Sequence, residues 1–128
     1  MSYHFSKTIN QDFDTAISKV TEELKKEGFG VLTEIDVKDT LKKKLGVDFR
    51  KYKILGACNP HFAHQALLAE SHIGTMLPCN VIVQEGVDGQ VEVSAVDPVA
   101  SMEAVKNEHL SEVAKEVRAK LKTVIDNL

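Results

Sequence analysis

Two neighbouring segments in the second half of the chain alternate apolar and polar side chains, the pattern of strands that bury one face. They span residues 79–87 and 90–96, and Asp88-Gly89 between them predicts a two-residue hairpin turn. The apolar positions are Val81 and Val83 on the first strand and Val91, Val93 and Ala95 on the second. A hairpin of this kind needs a second layer of structure against its apolar face.

The last part of the chain supplies a helix for that layer. Its apolar residues recur at helical spacing: Leu110, Val113, Ala114, Val117, Leu121, Val124, Ile125 and Leu128. A second amphipathic helix is predicted near the start of the chain, with Phe13, Ala16, Ile17, Val20 and Leu24 on one face. Gly28 is expected to end it in the left-handed conformation. The C-terminal stripe is long enough to lie across a whole sheet.

The remaining segments are short. Strands are predicted over residues 3–9, 29–35 and 52–58. Short helices are predicted between Asp36 and Gly46 and over 60–69, a loop over 70–78, and a turn or short helix over 97–105. Because strands and helices neither alternate strictly nor segregate fully, the sequence predicts an α+β fold with a mainly antiparallel sheet. A length of 128 residues suits one domain, residues 1–128.

Charge and hydropathy argue against nucleic-acid and membrane partners. The net charge is −3 and the sequence pI is about 5.9, whereas both partners favour a basic surface. No apolar run approaches the roughly 20 residues that a transmembrane helix needs, and no export signal is recognisable. With Cys58 and Cys79 as the two cysteines, we expect reduced thiols and a cytoplasmic location.

Sulfur and imidazole ligands are concentrated between residues 58 and 79. Cys58, His61 and His64 form a C-x2-H-x2-H arrangement, and Cys79 follows Pro78 later in the chain. Thiolate and imidazole are zinc-type ligands, and His61 and His64 share a face of the predicted helix. Zinc or a softer metal bound by Cys58, His61, His64 and Cys79 is therefore one hypothesis, although the spacing matches no standard zinc finger. Solvated histidines are the alternative.

The two cysteines also fit other roles. Cys79 lies on the same face of its predicted strand as Val81, so it could be a small hydrophobic residue of the core. Cys58 shares parity with Ile54 and directly precedes a helix that Asn59 is expected to cap. A helix N-terminus lowers the pKa of a nearby thiol, so thiol chemistry is a further alternative. The sequence leaves core, metal-binding and reactive roles open.

Three motifs together resemble the domain of unknown function 302 family. They are G-A-C-N-P-x-x-A-x-x-A-L at Gly56–Leu67, I-G-x-x-L-P-C-N-V-x-V at Ile73–Val83, and V-D-P at Val96–Pro98. The resemblance implies a β-α-β(4)-α core whose curved antiparallel sheet packs against a long C-terminal helix, a bacterial or archaeal origin, and a homodimer. It implies no activity. It marks Asn59, Pro60, Pro78 and Cys79 as special and leaves His61 and His64 at variable positions.

These observations support three hypotheses about function. The leading one is a binding module for a small ligand or a soft metal, with a pocket lined by Cys58, Asn59, Met76, Pro78 and Cys79. The second is a thiol-dependent enzyme or redox-active protein that uses Cys79 as its catalytic residue. The third is a structural or dimerisation domain that presents Met76 and Leu77 at an interface.

Overall fold

Five strands and two main helices follow one another as the predicted β-α-β(4)-α core requires, with three shorter helices added. The computed structural model describes residues 2–128. Its strands are β1 (His4–Ile9), β2 (Gly30–Asp36), β3 (Tyr52–Cys58), β4 (Cys79–Glu85) and β5 (Val91–Val96). Its helices are α1 (Phe13–Lys26), α2 (Val37–Leu45), α3 (Pro60–Ala69), α4 (Pro98–Ser101) and α5 (Glu108–Asp126), with a 3-10 helix at Ser71–Met76 inside the predicted loop.

The strands form one open sheet in the order β1-β5-β4-β3-β2, and every pairing is antiparallel. The predicted α+β class and antiparallel sheet are therefore confirmed. The β4–β5 hairpin pairs with β1 on one side and β3 on the other, which places it inside the sheet. A bulge between Val31 and Thr33 interrupts the β2–β3 pairing at the opposite edge.

One face of the sheet carries the core. Alternate residues of β3, β4 and β5 are buried there against α1 and α5, which confirms the predicted apolar stripes. The fully buried members include Leu55, Val81, Val83 and Val93 from the sheet, Val20 and Leu24 from α1, and Leu121 and Val124 from α5. The intervening strand residues point to the opposite face, which is more polar. No helix in the described part of the chain is long and apolar enough to cross a membrane.

The hairpin turn between β4 and β5 is longer than predicted. The N–H of Gly86 donates to the carbonyl of Gln90 at 2.8 Å, so three residues lie in the loop instead of two. Gly89 is the last of them and has φ +80°. This matches a type I turn followed by a left-handed residue, which also requires glycine at that position. The Asp-Gly signal therefore located the turn but not its length.

Asp97, at the end of β5, joins three elements. Its Oδ1 accepts hydrogen bonds from the N–H groups of Val99 at 3.0 Å and Ala100 at 3.4 Å, which caps α4. Its Oδ2 accepts a hydrogen bond from Nε of Arg118 on α5 at 3.1 Å. Its own N–H donates to the carbonyl of Tyr3 at 2.7 Å. The V-D-P motif is thus accounted for by the junction between the sheet and the C-terminal helices.

We expect Asp97→Ala to lower the free energy of unfolding by about 1 kcal/mol more than Asp97→Asn, because asparagine still caps a helix and alanine does not. Both variants lose the charge pair with Arg118, whose side chain is 43% exposed, so that common loss is small. Urea unfolding of the two variants measures the difference. Equal losses would contradict the capping role.

Candidate functional site

Cys58 and Cys79 line one hollow at the end of the sheet where β3 stops and β4 starts. The register pairs Ala57 with Cys79, so the two cysteines lie on neighbouring strands one position out of step. The hollow has a volume of about 30 Å³ and an almost wholly apolar wall. Its other lining residues include Phe29, Phe62, Ala66, Leu77, Val113 and Val117. Cys79 is buried and Cys58 is half-buried, and both are free thiols.

Four of the five predicted ligand-binding residues lie at this hollow: Cys58, Asn59, Pro78 and Cys79. Met76 does not. It ends the 3-10 helix, is 38% exposed, and lines a separate groove with His72 and Lys106.

A different methionine, Met102, lines the hollow and is buried. It was not among the residues predicted from the sequence. Met102 follows Pro98 by four residues, and its N–H donates to the carbonyl of Pro98 at 3.1 Å. Residues at this spacing share a helix face, and both side chains line the hollow. The four-residue spacing from Pro98 of the V-D-P motif was the sequence signal that could have placed Met102 at the hollow.

The predicted histidine ligands lie on the outside of α3. His61 and His64 are both exposed, and His61 Nε2 lies 3.1 Å from Gln65 Nε2. Among residues 2–128, no three histidine, cysteine or acidic side chains are grouped so that they could hold a metal ion. Cys58, His61, His64 and Cys79 are thus not assembled as a four-ligand site. Only the two sulfur members of the predicted set share the hollow.

Asn59 occupies the N-cap position of α3, but its side chain makes no capping hydrogen bond. That detail of the prediction is wrong. Its Nδ2 instead donates to the carbonyl of Glu27 at 3.2 Å, which ties the start of α3 to the turn after α1. Pro60 is the first helical residue and has no N–H, which removes one of the donors that a cap would satisfy. Asn59 therefore fixes the position of the strand end that carries Cys58.

Two glycines make room for this arrangement. Gly28 has φ +85°, as predicted for a residue that ends α1, and a Cβ added there would lie 3.0 Å from Nδ2 of Asn59. A Cβ added to Gly56 would collide with Oγ1 of Thr33 and lie 2.8 Å from Cγ of Pro78. The absence of a side chain at Gly56 lets the ring of Pro78 lie against β3, which positions Cys79 directly after it.

Both thiols are protonated at neutral pH. Burial, and as a smaller cause the neighbouring Cys58, raise the pKa of the Cys79 thiol to about 11. Burial also raises the pKa of the Cys58 thiol. Because the thiolate is the nucleophile, these shifts make either residue slow in covalent chemistry at neutral pH.

Comparison with known proteins gives a family and a fold. The family described as "Domain of unknown function DUF302" matches residues 5–128. A crystal structure of an uncharacterized conserved DUF302 protein from Bacillus stearothermophilus is similar, with a TM-score of 0.91 and 28% sequence identity over 98% of each chain. No curated protein matches this sequence.

The raised pKa values predict slow alkylation of Cys79. At pH 7.5 we expect Cys79 in the Cys58→Ser variant to react with iodoacetamide at least about a hundredfold more slowly when folded than when unfolded, because a thiol of ordinary pKa is far more ionised. Cys58 in the Cys79→Ser variant should react faster than folded Cys79. Mass spectrometry of quenched samples gives the rates, and guanidinium-unfolded samples are the control. A folded Cys79 that reacts as fast as the unfolded thiol would overturn this picture.

Substitutions at two glycines, Gly28 and Gly46, test the contact of Asn59 with the turn after α1. Gly46 ends α2 with φ +67°, and a Cβ added there meets nothing within 4 Å, unlike one at Gly28. Gly46→Ala should cost about 1–2 kcal/mol for the left-handed conformation alone. Gly28→Ala should lower the free energy of unfolding by more than Gly46→Ala does, as measured by urea unfolding. In a background that already carries Asn59→Ala, the two glycine substitutions should have equal effects. Equal losses for the two single variants would show that the Asn59 contact is unimportant.

Proposed function

Because this chain belongs to the DUF302 family, whose name assigns no activity, we propose a function from the geometry of the hollow: a module that binds a soft metal ion between Cys58 and Cys79. One observation carries the proposal. Two cysteine residues that are 21 positions apart in the sequence line the same small apolar space. Small apolar side chains at these two positions would be enough for packing alone. Binding a soft metal ion instead requires the two sulfur atoms.

The size of the hollow favours a metal ion over an organic ligand. The hollow has a volume of about 30 Å³, and one water molecule needs about 10–15 Å³ of such space. Pockets for drug-sized molecules are far larger. Of the two ligand types that the sequence suggested, an ion therefore fits the available space and a small organic molecule does not.

The ligand atoms favour copper(I) over zinc. Cys58, Cys79 and Met102 all line the hollow, and soft sulfur ligands such as their thiol and thioether groups select copper(I). Structural zinc takes four ligands, normally with histidine or further cysteines. The exposed positions of His61 and His64 leave those two sites unfilled, so a sulfur-only site for a monovalent ion is the better match.

Metal binding at this site displaces protons. Each thiol must lose its proton to become a ligand, and the raised pKa values keep both thiols neutral until an ion arrives. The N-terminus of α3 begins directly after Asn59 and stabilises negative charge beside Cys58. In this proposal the two thiols bind a metal ion but react slowly as nucleophiles at neutral pH. The thiol-dependent enzyme is therefore the weaker candidate. The homodimer stays a prediction.

Copper(I) titration under anaerobic conditions tests the proposal. We expect one equivalent to bind in competition with bicinchoninate, with release of protons. Because each substitution removes one sulfur ligand, Cys58→Ser and Cys79→Ser should weaken binding by roughly a hundredfold or more, and Met102→Leu by about tenfold.

Met76→Leu is the matched control, because it removes a methionine sulfur that lies outside the hollow. It should bind like the unaltered protein. Weak copper(I) binding that is the same in the unaltered protein and Cys79→Ser would remove the proposal. Equal losses in Met76→Leu and Met102→Leu would remove the thioether from the ligand set.

A further inference from the structure

A second candidate site lies on the uncovered face of the sheet, away from the thiol hollow. It is a groove of about 390 Å³ that crosses β1, β5, β4 and β3. The register places Gln84 beside Glu92 and Ser94 beside Ser6 on this face. Tyr52 is paired with Gln84 and lines the groove at the β3 side, while Tyr3 lines it near β1. The groove therefore has a row of polar side chains, the polar floor, beside the apolar residues Ile82, Ala95 and Val96, with aromatic rings toward both sides.

The polar floor is a hydrogen-bonded chain of side chains from separate strands. His4 Nδ1 lies 2.7 Å from Ser6 Oγ, and Ser6 Oγ lies 2.7 Å from Ser94 Oγ. The hydroxyl of Ser94 donates to Glu92 Oε1 at 3.3 Å, and Nε2 of Gln84 donates to the same oxygen at 3.4 Å. These contacts fix the orientation of the Glu92 carboxylate relative to the groove.

Glu92 is the one carboxylate that lines this groove, and it is half-buried. Both of its hydrogen bonds are long, both come from neutral groups, and both reach Oε1. Across residues 2–128, Glu92 has no ion-pair partner and its Oε2 accepts no hydrogen bond. A half-buried carboxylate with an unused oxygen is best satisfied by a cationic donor.

We propose that this groove binds a small hydroxylated primary amine, of the amino-sugar or amino-alcohol class, with its ammonium group on Glu92. The side-chain amide of Asn80 also lines the groove, is exposed, and has no hydrogen-bond partner within the described residues, so it is available to a ligand hydroxyl. The guanidinium carbon of Arg50 lies 5.4 Å from the centre of the Tyr52 ring, and Arg50 also donates to Oε1 of Gln84, so the ring offers the ligand an apolar surface and not a cation site. An anionic group is disfavoured at Glu92 itself, because two like charges would face each other.

Glucosamine is the probe, and glucose is its neutral counterpart. We expect glucosamine to shift the backbone amide resonances of β4 and β5 saturably in two-dimensional NMR spectra, and glucose to do so much more weakly. Glu92→Gln should weaken glucosamine binding by about tenfold, the loss expected for one hydrogen bond to a charged group. Asn80→Ala should weaken it severalfold without unfolding the chain, since its side chain holds nothing else in place.

Glu85→Gln is the matched control. It makes the same chemical change at the end of the neighbouring strand, and Glu85 does not line the groove, so binding should stay within about twofold. Equal binding of glucose and glucosamine would overturn the assignment of an amine. Unchanged binding in Glu92→Gln would overturn the role of the carboxylate. Resonance shifts on this face that depend on protein concentration without any probe would show that a second copy covers it, and would also overturn the proposal.

Discussion

The burial of one face of the sheet against α1 and α5 is the interaction on which the rest of this structure depends. It takes every second residue of the three central strands into the core and leaves the intervening residues on the other side. The two candidate sites follow from that division. The thiol hollow forms where the covered face ends and α3 and α4 close over the strand ends. The polar groove forms where no helix lies.

The thiol hollow shows how burial changes the chemistry of a residue type. An exposed cysteine beside a helix N-terminus tends to be acidic and reactive. Here burial raises the pKa of both thiols. Protonated thiols in a small apolar hollow react slowly with electrophiles. Under the proposed function, the same two side chains would exchange their protons for a soft cation.

Local patterns were enough to predict the fold class and the main helices and strands, because those depend on the periodicity of apolar residues along the chain. The predictions were wrong where the position of a side chain depends on a residue that is distant in the sequence. Asn59 bonds across to Glu27 instead of capping its own helix. Met102 replaces Met76 at the hollow because the 3-10 helix carries Met76 to another groove. The chain from His4 to Glu92 needs the strand register, which no local pattern shows, and the sequence therefore predicted no role for either residue.

The bulge in β2 has a consequence for how the molecule behaves among many copies of itself. An edge strand with a regular ladder offers unpaired amide and carbonyl groups to any extended chain that approaches it. In β2 the pairing is interrupted between Val31 and Thr33, and Glu34 and Asp36 follow on the same strand. An incoming strand would meet an irregular ladder and two carboxylates, so fibril-like stacking along this border is discouraged although Leu32 and Ile35 are exposed there.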